Sequence, residues 1–118
     1  MASYIITEEQ EITRNEGDSN DVELSIASDV INLDLYPNCK FQVRYESDVE
    51  RTMALVISKA TGGNGVVISG QSVTVTIDPS DTTGKAGSGY RWEIQFDDGT
   101  DIYTIMRGPF ILDREIIV

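Results

Sequence analysis

The sequence predicts an all-β fold, an antiparallel sandwich or barrel, and three observations carry that reading. Short runs of alternating apolar and polar residues recur about every ten residues, turn signals separate them, and no long amphipathic helix interrupts them. Taken along the chain they make about seven to nine short strands.

The clearest element is the stretch from Gly89 to Phe110, which reads as a complete β-hairpin. From Tyr90 to Phe96 apolar and polar residues alternate without a break, placing Tyr90, Trp92, Ile94 and Phe96 on one face. Asp97-Asp98-Gly99-Thr100 supplies a glycine for positive φ and short acidic side chains for local backbone bonds, so the chain can reverse. The return strand, Asp101 to Arg107, puts Ile102, Thr104 and Met106 on one side and Tyr103, Ile105 and Arg107 on the other. Pro109 has no N–H to donate and is expected to end the ladder or move it to an edge.

Upstream, Met1 to Glu11 reads as an extended arm or first strand, with Tyr4-Ile5-Ile6 as its apolar patch. Asn15 to Asp21 is a turn-rich loop, and Val22, Leu24 and Ile26 alternate as the next strand. The run Val30 to Leu35 alternates at Ile31, Leu33 and Leu35 and breaks at Tyr36-Pro37-Asn38. In the strand that follows, Cys39, Phe41, Val43 and Tyr45 face one way while Lys40, Gln42, Arg44 and Glu46 face the other, as in a sheet with one wet face. Ser47 to Ile57 supports two readings. Ser47 and Glu50 have capping-box spacing and Val49, Met53, Val56 and Ile57 share a helical face, yet Thr52 to Ser58 also reads as a strand, and a sandwich needs one here. Thr61 to Gly65 is a loop, Val66-Val67-Ile68 a short strand, and Ser69-Gly70 a turn. Gln71 to Ile77 is strongly β, with Val73, Val75 and Ile77 inward. Asp78 can cap a short helical turn that has Pro79 at its first position. Ile111 to Val118 reads as a last strand with an apolar end at Ile116, Ile117 and Val118, residues 113–118 being the terminal strand.

At 118 residues the chain has the length of a single domain, residues 1–118, with enough sequence for one core. A lone Cys39 allows no internal disulfide and reads as a small buried hydrophobe. Twenty acidic against nine basic residues give a net charge of −11, which argues against nucleic acid or an anionic membrane as partner. No apolar run approaches the roughly 20 residues that span a bilayer. The opening residues have neither the basic nor the apolar region of a secretory signal, so the expected location is a cytoplasm or an assembly built there.

The residues alone carry no chemistry. With no histidine, a Ser-His-Asp triad, a Cys-His pair and a histidine-ligated metal are excluded. Asp97, Asp98 and Asp101 could ligate Ca²⁺, but turns use aspartate for backbone bonds and no EF-hand spacing is present. Asp78 with Asp81, and Asp18 with Asp21, read the same way, and Gly62-Gly63-Asn64-Gly65 lacks the lysine of a phosphate cradle. No paired acids across a cleft suggest a glycosidase. The expectation is no catalytic residue, no metal and no cofactor. Tyr90, with a glycine-containing turn before it and Trp92 two residues on, has the pattern of a tyrosine corner, a structural role that ties a loop to the sheet.

The order of segments resembles the small immunoglobulin-like domains of tailed-bacteriophage virion proteins associated with baseplate, tail fibre or head decoration. The matching parts are Ile12 to Asp18, Leu33-Asp34-Leu35 with Phe41-Gln42-Val43-Arg44, Gly65 to Ile68 with Val73 to Ile77, and Gly89 to Phe96 through Gly99 to Gly108-Pro109-Phe110, together covering roughly residues 12 to 115. One departure is Arg14-Asn15-Glu16 before Gly17-Asp18, where the family often has a shorter turn. The resemblance implies an immunoglobulin-like Greek-key sandwich and a non-enzymatic virion component. Such a component binds other virion proteins as a tail or baseplate adaptor or a capsid decoration subunit, as a homo-oligomer or in many copies. On that reading Tyr4, Ile5 and Ile6, and Ile116, Ile117 and Val118, are candidate partner-binding residues that could add a strand to a partner's sheet edge, or else ordinary edge strands of the same sandwich. The alternative from another class is a glycan- or Ca²⁺-dependent adhesion module with Tyr36, Tyr45 and Tyr103 as an aromatic platform.

Overall fold

A computed structural model describes residues 8–47 and 52–114. Its strands are β1 (Glu8–Glu9), β2 (Ile12–Asn15), β3 (Asn20–Ser25), β4 (Asn38–Ser47), β5 (Thr52–Ala60), β6 (Val66–Ser69), β7 (Ser72–Ile77), β8 (Gly87–Asp97) and β9 (Ile102–Asp113). A 3₁₀ turn at Leu33–Leu35 and a one-turn helix α1 (Pro79–Thr82) complete the regular structure among the described residues.

The strands form a β-sandwich. The larger sheet runs β1-β9-β8-β4-β5, with β2 also on β9, and the smaller runs β3-β7-β6. The chain changes sheet between β2 and β3, between β3 and β4, between β5 and β6, and again between β7 and β8, so the connections are of Greek-key type and the strand order is immunoglobulin-like. The ladders are antiparallel with two exceptions: β1 and β2 both pair with β9 in parallel. The Thr52–Ala60 segment is a strand, paired with β4 through a bulge at Val56, as the sandwich requires.

Period-2 patterning builds the core. Val22 and Leu24 of β3 and Val73, Val75 and Ile77 of β7 face Phe41 and Val43 of β4 and Trp92, Ile94 and Phe96 of β8, all buried. Phe41 and Trp92 stack at the centre with ring centroids 5.7 Å apart. Asp78 precedes α1 with its backbone N–H donating to Asp81 Oδ2 at 2.7 Å, and buried Thr82 accepts from the Gly17 N–H at 2.8 Å, which ties the β2–β3 turn to this helix.

Four expectations are corrected. The alternation of Val30 to Leu35 does not set one inward face: it belongs to a turn and the 3₁₀ element, where Leu33 is buried and Leu35 is 65% exposed. The reason lies in Gln71, whose side chain accepts from the Leu33 N–H (3.0 Å) and donates to the carbonyls of Ile26 and Ile31 (both 2.9 Å). Those backbone groups thus find partners without a ladder.

The faces assigned to the return strand change partway, because Ile105 is an extra residue between the pairs Gln95–Thr104 and Ile94–Met106. Ile105 and Met106 are therefore both buried, and Ile102 is exposed. Pro109 does not end the ladder. β9 continues to Asp113, merging the return strand with the first part of the expected terminal strand, and residues 115–118 lie outside the described residues. Pro109 sits where β9 changes its parallel partner, since β1 pairs through Arg107 and β2 begins at Phe110. Finally, Tyr45 points to the core side of β4 but is 46% exposed, at the end of the sheet against the Tyr90 ring.

Candidate binding surface

The β3–β4 connection and the β8–β9 hairpin lie side by side at one end of the sandwich, because Asn38 at the start of β4 pairs with Asp97 at the end of β8. Each loop is fixed by local chemistry. Asn32 Oδ1 accepts from the Asp34 N–H (3.1 Å), starting the 3₁₀ turn, and Leu33 anchors it in the core. In the hairpin, Asp97 Oδ1 accepts from the Gly99 N–H (3.1 Å), and Asp98 Oδ1 accepts from the N–H groups of Thr100 (2.9 Å) and Asp101 (2.8 Å). The Asp101 and Thr100 amides hold the Asp98 carboxyl below the usual carboxylate range.

Between these loops Tyr36 and Tyr103 meet edge to face, with ring centroids 5.3 Å apart. Their hydroxyls interact, and that hydrogen bond, followed by burial and the Asp98 and Asp101 carboxylates, raises the Tyr36 hydroxyl above its ordinary value. Leu35 (65% exposed) and Ile102 (49% exposed) flank the pair. Both tyrosines are half-buried against the core, so the exposed apolar groups at this end are Leu35 on the 3₁₀ turn and Ile102 on β9, with an acidic margin from the hairpin.

The sequence-predicted residues distribute as follows. Tyr36 and Tyr103 come together, whereas Tyr45 lies at the other end of β4, so these three do not form one platform. Asp97 and Asp98 aim at backbone amides, and among the described residues no group of three or more His, Cys, Asp or Glu side chains is gathered for a metal ion. Tyr90 Oη donates to the Lys85 carbonyl at 2.7 Å, across the corner leading into β8, and Trp92 is fully buried. Tyr4, Ile5, Ile6, Ile116, Ile117 and Val118 lie outside the described residues. Among the described residues no helix is long and apolar enough to cross a membrane.

Sequence reasoning missed Leu35 and Ile102 as surface groups and Gln71 as the loop's anchor. The signal for Leu35 was its position directly before Tyr36-Pro37, where alternation had already ended. No protein-family model matches the chain, and no curated protein matches it in sequence.

Proposed function

We propose that this chain is a non-enzymatic structural protein of a tailed-phage virion that binds other virion proteins, as a tail or baseplate adaptor or as a capsid decoration subunit. The observation that carries the reading is the exposed apolar surface of Leu35 and Ile102 beside the half-buried Tyr36–Tyr103 pair, on a loop and a strand end whose backbone is pinned by Gln71, Asn32 and Asp98. A preordered patch loses little conformational freedom on docking, and fully burying an exposed Leu or Ile contributes about 1.5 to 3 kcal/mol each. The family resemblance of the segments from Ile12 to Phe110 supplies the virion context.

The test is density-gradient sedimentation of particles from a lysate of infected or induced cells that produce the chain, probed with an antibody to it. Co-migration with intact particles, lost in a Leu35→Asp/Ile102→Asp variant that still folds, is the expected result. A chain found only at the top of the gradient, or an unchanged position for the variant, overturns this reading.

A further inference from the structure

The end of the sandwich that carries Leu35 and Ile102 bears charge of one sign. The β3–β4 connection holds Asp29 and Asp34, and the β8–β9 hairpin holds Asp97, Asp98 and Asp101, while residues 26–39 and 97–104 contain no lysine or arginine. A third loop, residues 61–65, is tied to the same end. The Thr61 N–H donates to the Cys39 carbonyl (3.0 Å) and the Cys39 N–H donates to Thr61 Oγ1 (3.1 Å). That loop is uncharged.

The cations that follow or precede these loops along β4 and β5 are committed elsewhere. Lys59 is ion-paired with Asp78 (3.3 Å) and Asp81 (2.8 Å). Lys40 alternates with buried Cys39 and Phe41, which puts it on the outward face of the larger sheet. The carboxylates, for their part, remain charged. Hydrogen bonds from the hairpin amides hold the Asp97 and Asp98 side chains in place without neutralising them, and at Asp98 the bonds from Asp101 and Thr100 favour the ionised form. Asp29 and Asp34 are exposed on the other loop.

An exposed apolar centre inside a margin of one charge sign has the anatomy of a docking surface, in which the centre supplies buried area and the margin selects the partner. The sign of the margin decides between occupants. A second copy of this chain would set five aspartates against the same five, and an anionic lipid surface or a nucleic acid meets the same repulsion. We infer that this end docks a segment of a partner protein in which apolar side chains are flanked by lysine or arginine. The partner's apolar groups cover Leu35 and Ile102, and its cations lie within the field of the five aspartates. The inference rests on the protein-binding reading above and names the chemistry of the partner at that same surface.

The experiment is an NMR and calorimetric titration of the full chain with a short, end-blocked peptide in which Leu-Leu is flanked by Lys on both sides, at low and at physiological salt. Two control peptides carry Glu in place of Lys, or Ser in place of Leu. Expected are saturable binding with amide shifts centred on Leu35, Tyr36, Ile102 and Tyr103, weakening as salt is raised, and at least about tenfold weaker binding of either control. Asp29→Asn/Asp34→Asn neutralises two exposed carboxylates outside the hairpin's amide bonds and is expected to weaken binding several-fold; Leu35→Ser, which removes part of the apolar centre, is expected to do the same. No binding at low salt, equal binding of the Ser control, or shifts spread over the other acidic surfaces overturns the inference, as does a concentration-dependent dimer that Leu35→Ser abolishes. Particle co-migration that depends on Leu35 and Ile102, without peptide binding, removes the basic partner and keeps the docking surface. Peptide binding by a chain that never enters particles keeps this inference and removes the virion reading.

Discussion

The indole of Trp92 donates from Nε1 to the backbone carbonyl of Gln10 at 2.8 Å, joining the centre of β8 to the crossing between β1 and β2. Gln10 in turn donates its N–H to the Arg107 carbonyl at 2.8 Å, so one residue between two short strands is fastened on both sides. Replacing Trp92 with Phe removes the donor and leaves a void beside Phe41. The expected loss is about 3 kcal/mol, from an unpaired carbonyl and lost packing, measured by urea unfolding. A loss below about 1 kcal/mol would show that this contact is not what holds the crossing.

Gly108 tests the same crossing from β9. A Cβ built there collides with the Gln10 backbone carbonyl, and backbone cannot swing aside as a side-chain tip does. Gly108→Ala is therefore expected to push β1 off β9 and leave β8–β9 intact. Hydrogen exchange should show faster exchange at the Gln10 amide while the amides of Trp92 and Ile94 stay protected. Unchanged protection at Gln10 would sink the argument.

For Tyr90 the hydroxyl is the quantity at issue. Tyr90→Phe keeps the ring against Tyr45 and deletes the bond to the Lys85 carbonyl. A destabilisation of about 1 to 2 kcal/mol is expected, together with faster exchange in the α1–β8 corner. Equal stability of the two proteins would mean that the loop needs no such tie.

Gln71→Ala strips partners from three backbone groups of the β3–β4 connection at once. The expected cost is about 2 to 4 kcal/mol, and Gln71→Glu, which turns an acceptor-only carboxylate oxygen onto the Ile26 and Ile31 carbonyls, should be at least as destabilised at neutral pH and recover on acidification as the carboxyl becomes a donor. Thermal melts of the three proteins decide it; a glutamate variant as stable as wild type at neutral pH would contradict the division of roles.

The Cys39 thiol is pushed up to about 12 from an ordinary value of 9.0, by burial first and by the nearby Asp97 carboxylate second. An unfolded chain therefore ionises this thiol at lower pH than the folded one, and above pH 9 it binds fewer protons. The stabilisation is fully present below pH 9 and is lost as pH rises towards 12. Unfolding free energies of wild type and Cys39→Ala, compared from pH 8 upward, should converge, since the tyrosines and lysines titrate in both. A constant gap would refute the assignment.

Where a strand keeps strict alternation and both neighbours are regular, the sequence was sufficient. β7 and the Tyr90–Phe96 part of β8 carry their faces in the order of their residues. What local pattern does not contain is an event that depends on a distant partner. Ile31, Leu33 and Leu35 alternate as a strand would, yet Gln71 supplies the partners that make a 3₁₀ turn. Ile105 looks like one more residue of the return strand, and only its register against Gln95 and Ile94 reveals the bulge. Leu35 and Ile102 were hidden for the opposite reason, since large apolar residues in a β pattern are normally read as core.

The parallel attachment of β1 and β2 to β9 sets how the molecule carries load. Glu8 lies beside Met106 and Asn15 beside Asp113, so tension applied in opposite directions at Glu8 and Asp113 slides these strands along one another. Their hydrogen bonds, lying across the direction of pull, must then fail together as a clamp, whereas an antiparallel pair gripped at one end would open bond by bond like a zip.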